Sequence, residues 1–120
     1  LELGNLDSKR DFGYAPEFVE AFWKILQLDK PDDFVLATGE THTIREFVKM
    51  AFEVVEIYNW QDYVKQNPLY MRPAEVDFLL GDSRKAKQAF DWCPKTSFPE
   101  LVKIMVDSDV QRIQRGDKFE

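Results

Sequence analysis

The sequence predicts a small α/β domain of about four helices with two or three short strands. Three observations predict it. Apolar residues recur at helical spacing in separate stretches. Two of these stretches open on Thr43 with Glu46 and on Ser97 with Glu100, the reciprocal pattern that closes a helix N-terminus. Short apolar runs bounded by turn residues, above all Phe34-Val35-Leu36-Ala37-Thr38-Gly39, have the length of strands. Aromatic residues make up 14% of the chain, with ten Phe and three Trp, which argues for a packed core rather than disorder.

Taken in order, residues 1–6 alternate apolar and polar and read as a strand. Residues 7–14 read as a polar loop with Gly13 as its turn residue. Pro16 opens the first helix with Glu17 beside it, at the positive end of the dipole. Its stripe of Phe18, Phe22, Ile25 and Leu26, with Val19 and Trp23 alongside, reads as core. Asp29-Lys30-Pro31 stops it. The run from Phe34 reads as a buried strand. His42 falls in the loop after it, where a lone histidine is usually solvated or capping.

The second helix turns Ile44, Phe47, Val48, Ala51, Phe52 and Val55 to one face. Residues 57–69 are irregular, with a short strand around Val64. Residues 76–80 read as a short strand or an apolar loop. Asp82 or Ser83 caps a third helix through Phe90, with Ala86, Ala89 and Phe90 inward. Cys93, before a proline, reads as a packed thiol. The fourth helix carries Val102, Met105, Val106, Val110 and Ile113 on one face, and Gly116 ends it.

The 120 residues form one domain, spanning 1–120, with room for a modest core. A net charge of −6 argues against general nucleic-acid or membrane-surface binding, yet leaves room for a local basic pocket holding one anion. One Cys and one His make neither a disulfide framework nor a zinc set. The chain has no apolar run long enough to span a bilayer and no signal-peptide pattern, so a cytoplasmic location is expected. It begins Leu1-Glu2-Leu3 without a methionine and reads as a piece of something longer.

The candidate site centres on Tyr70-Met71-Arg72-Pro73-Ala74-Glu75. Pro73 biases Arg72 toward an extended backbone and so holds its guanidinium still. A fixed guanidinium matches phosphate oxygens. Glu75 can accept hydrogen bonds from hydroxyls such as those of a ribose. The bland alternative is an exposed Arg-Glu pair. Arg10, between Asp7 and Asp11, is either a second arginine aimed at the same anion or part of a self-satisfied surface cluster. Catalytic constellations are missing: the sequence offers no Ser/His/Asp or Cys/His set. Gly39-Glu40-Thr41-His42 lacks the glycines of a dinucleotide-binding turn.

Leu3-Gly4-Asn5-Leu6-Asp7 with Lys9-Arg10-Asp11 resembles the GDP-mannose 4,6-dehydratase family of the extended short-chain dehydrogenase/reductase group. So do Ala37-Thr38-Gly39-Glu40-Thr41-His42 with Arg45-Glu46-Phe47, and Arg72-Pro73-Ala74-Glu75-Val76-Asp77 with Leu80-Gly81-Asp82. Ser97-Phe98 with Glu100-Leu101-Val102 completes the pattern in the family's order. The resemblance implies the C-terminal substrate-binding subdomain, with the Rossmann domain absent. That missing domain would be the partner, and it would hold NADP and the catalytic Tyr, Lys, Glu and Ser/Thr. This chain would bind no cofactor itself.

The resemblance further implies that Arg10 and Arg72 contact the diphosphate of GDP-mannose or GDP, and that Glu75 contacts the ribose. Asn5 and Lys9 would lie close to the nucleotide. The family's reaction makes GDP-4-keto-6-deoxymannose, and the isolated chain is not expected to catalyse it. The stretch between Phe52 and Arg72 looks shorter than in many members. Two alternatives remain. One is the corresponding part of a different nucleotide-sugar epimerase or dehydratase. The other is a non-enzymatic interaction module, which a monomeric, stable chain without a nucleotide response would support. An excised piece with its apolar face bared is expected instead to be marginally stable or to self-associate as a homo-oligomer.

Overall fold

Helix starts are the most local commitments a chain makes. Both starts expected from capping boxes are present in the computed structural model, which describes residues 1–72, 76 and 78–117. The helix α2 spans Ile44–Val54, and Thr43 caps it. The Thr43 hydroxyl accepts the Glu46 N–H at 3.0 Å, and a Glu46 carboxylate oxygen accepts the Thr43 N–H at 2.6 Å. The helix α4 spans Phe98–Arg115, where Glu100 accepts the Ser97 N–H at 2.8 Å. Gly116 closes α4 at φ 78°, a conformation that needs no Cβ. The first helix, α1, spans Ala15–Leu26 with Pro16 in its first turn, and α3 spans Arg84–Phe90.

The two capping glutamates give the fold an acid limit. The Thr43 backbone N–H, then its hydroxyl, hold the Glu46 carboxyl below the ordinary glutamate value of 4.5, with smaller help from His42 and Lys9. The Ser97 N–H and hydroxyl do the same for Glu100. A carboxyl whose folded pKa lies below its unfolded value stabilises the fold fully above the unfolded value. That contribution is lost as pH falls through the folded value. The stabilisation is therefore complete above about pH 4.5 and fades below it. Glu46→Gln with Glu100→Gln is expected to flatten the acid limb of a plot of Tm against pH. An acid limb as steep as the parent's would refute this.

The strands are two residues long each. The strand β1, Glu2–Leu3, pairs in parallel with β4, Lys65–Gln66. The strand β2, Lys9–Arg10, pairs antiparallel with β3, His42–Thr43, with Arg10 opposite His42. So the expected strand over 1–6 shortens to β1, and the expected loop at 7–14 contains a strand. His42 lies in a strand, and the strand expected near Val64 is β4. Residues 57–69 also hold two 3-10 turns, Trp60–Tyr63 and Pro68–Tyr70.

The strand expected over 34–39 is not formed. Its end is claimed by a side chain instead, for Thr38 and Gly39 donate their N–H groups to the Asp11 carboxylate at 3.0 Å each. Residues 76 and 78–80 are loop, which settles the strand-or-loop alternative for them.

Two small cores hold these elements. One gathers Leu6, Val48 and Trp60, with Leu3, Ile44, Phe52 and Val64 around it. The other gathers Ala21, Ala86 and Trp92, with Phe18, Phe34, Leu36 and Phe90. A further set of rings packs around Phe98. Phe98 lies against Phe12 at 5.7 Å and Phe47 at 5.9 Å, and His42 stacks flat on it at 3.9 Å. Glu17 pins the second core by accepting the Thr96 hydroxyl at 3.0 Å and its N–H at 3.2 Å, while its backbone carbonyl accepts the Trp92 indole N–H at 2.8 Å.

Several residues expected inside are outside. On α1 only Ala21 is buried, whereas Val19, Phe22, Trp23 and Leu26 are 56–80% exposed. Val35, Phe78, Leu79 and Leu80 are about half exposed too. Met105 and Ile113 of α4 are exposed, as are Val55 and Ala89. Cys93 is an exposed thiol rather than a packed one. The pattern of each helix is real, but among the described residues nothing covers those faces. The Cα radius of gyration, 17.1 Å, agrees: a compact domain of this length has about 13.6 Å.

Candidate functional site

The site is built where residues 3–4 meet residues 66–70 and where Arg10 meets Val76. Asn67 donates its N–H to the Leu3 carbonyl at 2.8 Å, and Gln66 reaches the Gly4 carbonyl at 3.4 Å. Gly4 lies so near the Tyr70 backbone that a Cβ there would sit 2.4 Å from its carbonyl oxygen. The Pro68–Tyr70 turn, capped by the Asn67 side chain, then delivers Met71 in extended backbone, just before Arg72. Arg72 is exposed. Glu75 and Pro73 lie outside the described residues.

Farther along, Arg10 points from β2 to the same segment, where its Nη1 donates to the Val76 carbonyl at 2.7 Å. The acidic neighbours of Arg10 in sequence bond to other groups. Asp7 takes both Nε and Nη2 of Arg45, at 2.9 Å each. Asp11 takes Thr38 and Gly39. Lys9 is exposed on β2, opposite Thr43. The Asn5 side chain accepts the Asp7 N–H at 3.0 Å, which tightens the turn between β1 and β2. The structure thus brings Arg10 to Val76, with Lys9 next to it in β2 and Asn5 in the turn before β2.

Arg10 also borders an open groove of about 600 Å³. Phe18, Val19 and Phe22 of α1 form one wall, and Val35, Leu79 and Leu80 form another. The groove is apolar except at the Arg10–Asp11 end.

Sequence reasoning missed Asp11, whose partners are 27 and 28 residues away. A carboxylate that accepts two backbone N–H groups across such a separation has no periodicity to betray it. The same bonds decide how the Thr38-Gly39 turn reads chemically. Its amide donors are spent on Asp11, so it does not fit a dinucleotide pyrophosphate. Among the described residues, no group of three or more His, Cys, Asp or Glu is arranged for a metal, and no helix is long and apolar enough to cross a membrane.

Comparison with known proteins adds to this geometry. The family model described as GDP-mannose 4,6 dehydratase matches residues 1–105. A GDP-mannose 4,6 dehydratase of Dictyostelium discoideum is 47% identical over 99% of this chain and 38% of its own length. GDP-mannose 4,6 dehydratase 1 of Arabidopsis thaliana is 49% identical over 96% of this chain and 32% of its own length. The chain spans about a third of the length of the curated relatives it matches. The Dictyostelium alignment runs over 135 positions, at least 15 more than this chain has, whereas the Arabidopsis alignment runs over 115.

Among solved structures, dTDP-glucose 4,6-dehydratase from Bacillus anthracis in complex with NAD superposes with a TM-score of 0.81 at 16% identity. It is matched over 95% of this chain and 35% of its own. RMD from Pseudomonas aeruginosa complexed with NADPH gives 0.79 at 20% identity, over 93% and 36%. These two likenesses concern the fold.

Proposed function

Since this chain belongs to the GDP-mannose 4,6-dehydratase family, we propose that it is the part of such an enzyme that binds the nucleotide sugar. Arg10 and Arg72 hold the diphosphate of GDP-mannose, Glu75 holds the ribose, and Lys9 and Asn5 lie close by. The rest of the enzyme, a Rossmann domain carrying NADP and the proton-transfer groups, converts GDP-mannose to GDP-4-keto-6-deoxymannose. The reaction class is a lyase step: C4 of the mannose is oxidised, water is eliminated across C5 and C6, and the hydride is returned at C6. This chain alone binds and does not turn over.

The observation that carries the reading is the 2.7 Å bond from Arg10 Nη1 to the Val76 carbonyl. It ties the β2 arginine to Val76, four residues after Arg72 in sequence, which supports a shared site for one anion. Two fixed forks suit a diphosphate, whose oxygens accept paired N–H bonds. The exposed apolar groove supports the partner assignment. Val19, Phe22, Trp23 and Leu26 on one helix, with Leu79 and Leu80 opposite, make a surface that a second domain covers. Without that domain, the same surface favours a homo-oligomer.

An NMR titration with GDP, and with UDP as control, tests the reading. Shifts at Arg10 and Arg72, stronger for GDP, are expected. Arg72→Ala is expected to weaken GDP binding about 10- to 150-fold, the loss of a charged hydrogen bond of about 1.5–3 kcal/mol. Arg72→Lys recovers only part if the contact is bidentate. An Arg72→Ala variant with unchanged affinity overturns the assignment.

A further inference from the structure

Asp11 neighbours Arg10 and belongs to none of the binding roles above. Its carboxylate is the most heavily used acceptor of the β2–β3 region. The Oδ1 atom accepts the Thr38 hydroxyl at 2.7 Å and the Thr38 N–H at 3.0 Å. The Oδ2 atom accepts the Gly39 N–H at 3.0 Å. The Thr38 hydroxyl in turn accepts the Glu40 N–H at 3.2 Å. Gly39 adopts φ 81°, so the turn is shaped to present both amides to one anion. Asp11 is that anion.

The position of this contact gives it a consequence. The turn at residues 38–41 leads into β3, and β3 pairs with β2, which ends at Arg10. The Asp11 bonds therefore close a ring through 9–11 and 38–43. A ladder of two residues specifies its register weakly. A slip of one residue sends every side chain of the strand to the opposite face. Arg10 would then leave the Val76 carbonyl. At the other end of the ladder, Asp7 clamps Arg45 of α2, and the Ile44 N–H donates to the Ser8 carbonyl at 3.2 Å. The ladder is thus fastened on both sides, and the fastening next to Arg10 is Asp11.

We infer that Asp11 is a positioning residue for nucleotide binding: by binding the Thr38–Gly39 turn, it fixes the β2–β3 register that presents Arg10 to the Arg72 segment. This rests on the reading that Arg10 contacts the nucleotide. Asp11 does not touch the ligand and acts only through Arg10. Asparagine at this position keeps the size and one acceptor. Its amide group, however, turns a donor toward a donor N–H.

The test compares the parent chain with Asp11→Asn, Arg10→Ala and the double variant. In Asp11→Asn, the Thr38 and Gly39 amides are expected to exchange with solvent at least about tenfold faster. The cross-strand signals between Arg10 and His42 are expected to weaken, while α4 amides far from the turn stay protected. GDP affinity is expected to fall in both single variants. The double variant is expected to bind no worse than Arg10→Ala, because one residue acts through the other.

Additive losses, or Arg10–His42 signals unchanged in Asp11→Asn, overturn the inference. If Arg10→Ala leaves GDP binding unchanged, or the parent chain does not bind GDP, it is the nucleotide reading that fails. The amide exchange and cross-strand signals then decide the register clamp separately.

Discussion

Phe98→Ala is expected to remove about 3–5 kcal/mol of folding stability, the usual cost of deleting a buried aromatic. That is a large part of the roughly 6–18 kcal/mol that a domain of this length commands. The reason lies in position as well as size. Phe98 is 5% exposed, and its ring meets Phe12, Phe47 and His42. Phe47 lies on α2 and Phe98 opens α4, so these contacts join the two helices. Amides of α2 and α4 are expected to lose protection together in the variant, and the urea midpoint is expected to fall. Phe98→Leu keeps much of the volume and should lose less. A loss below about 1 kcal/mol would show that the ring does not hold α2 on α4.

Gly4→Ala is the second large effect. An added Cβ meets the Tyr70 carbonyl oxygen at 2.4 Å and its carbon at 3.0 Å. Both atoms are backbone, so no side chain can swing aside. Overpacking of this kind costs about 1–3 kcal/mol and sometimes more. The strain should appear at the β1–β4 pairing, where the Lys65 and Asn67 amides donate to Leu1 and Leu3 at 2.9 and 2.8 Å. Those two amides are expected to lose protection, and GDP binding is expected to weaken because Arg72 lies two residues beyond Tyr70. Gly39→Ala is the contrasting control. A Cβ there has open space around it, so the cost comes only from its positive φ, about 1–2 kcal/mol. If Gly4→Ala leaves Lys65 and Asn67 protected, the close approach does not govern this pairing.

The sequence alone determined what depends on near neighbours. Thr43 with Glu46 and Ser97 with Glu100 are three residues apart, and both form the boxes they spell. Gly116 stops α4 where a left-handed residue is needed. The family was legible for a related reason: the strings that carry the resemblance are short and contiguous, and the family model matches residues 1–105. Helical periodicity likewise placed four helices. It named the faces of α1 and α4 correctly as apolar, yet could not say what covers them. Periodicity records that a face is to be buried, not whether the burying partner lies on this chain. Hence Phe22 and Leu26 are exposed here.

Only the tertiary structure decided the rest. The apolar run over 34–39 has strand composition, but a strand also needs a neighbour, and Asp11 takes the amides at its end. Arg10 stood between two acids in sequence, and three-dimensional geometry drew those acids away, Asp7 to Arg45 and Asp11 to the Thr38–Gly39 turn. The guanidinium reaches the carbonyl of Val76, 66 residues on. Contacts across such separations carry no local signature, because any carboxylate and any amide can make them. Folding alone selects the pair that meets.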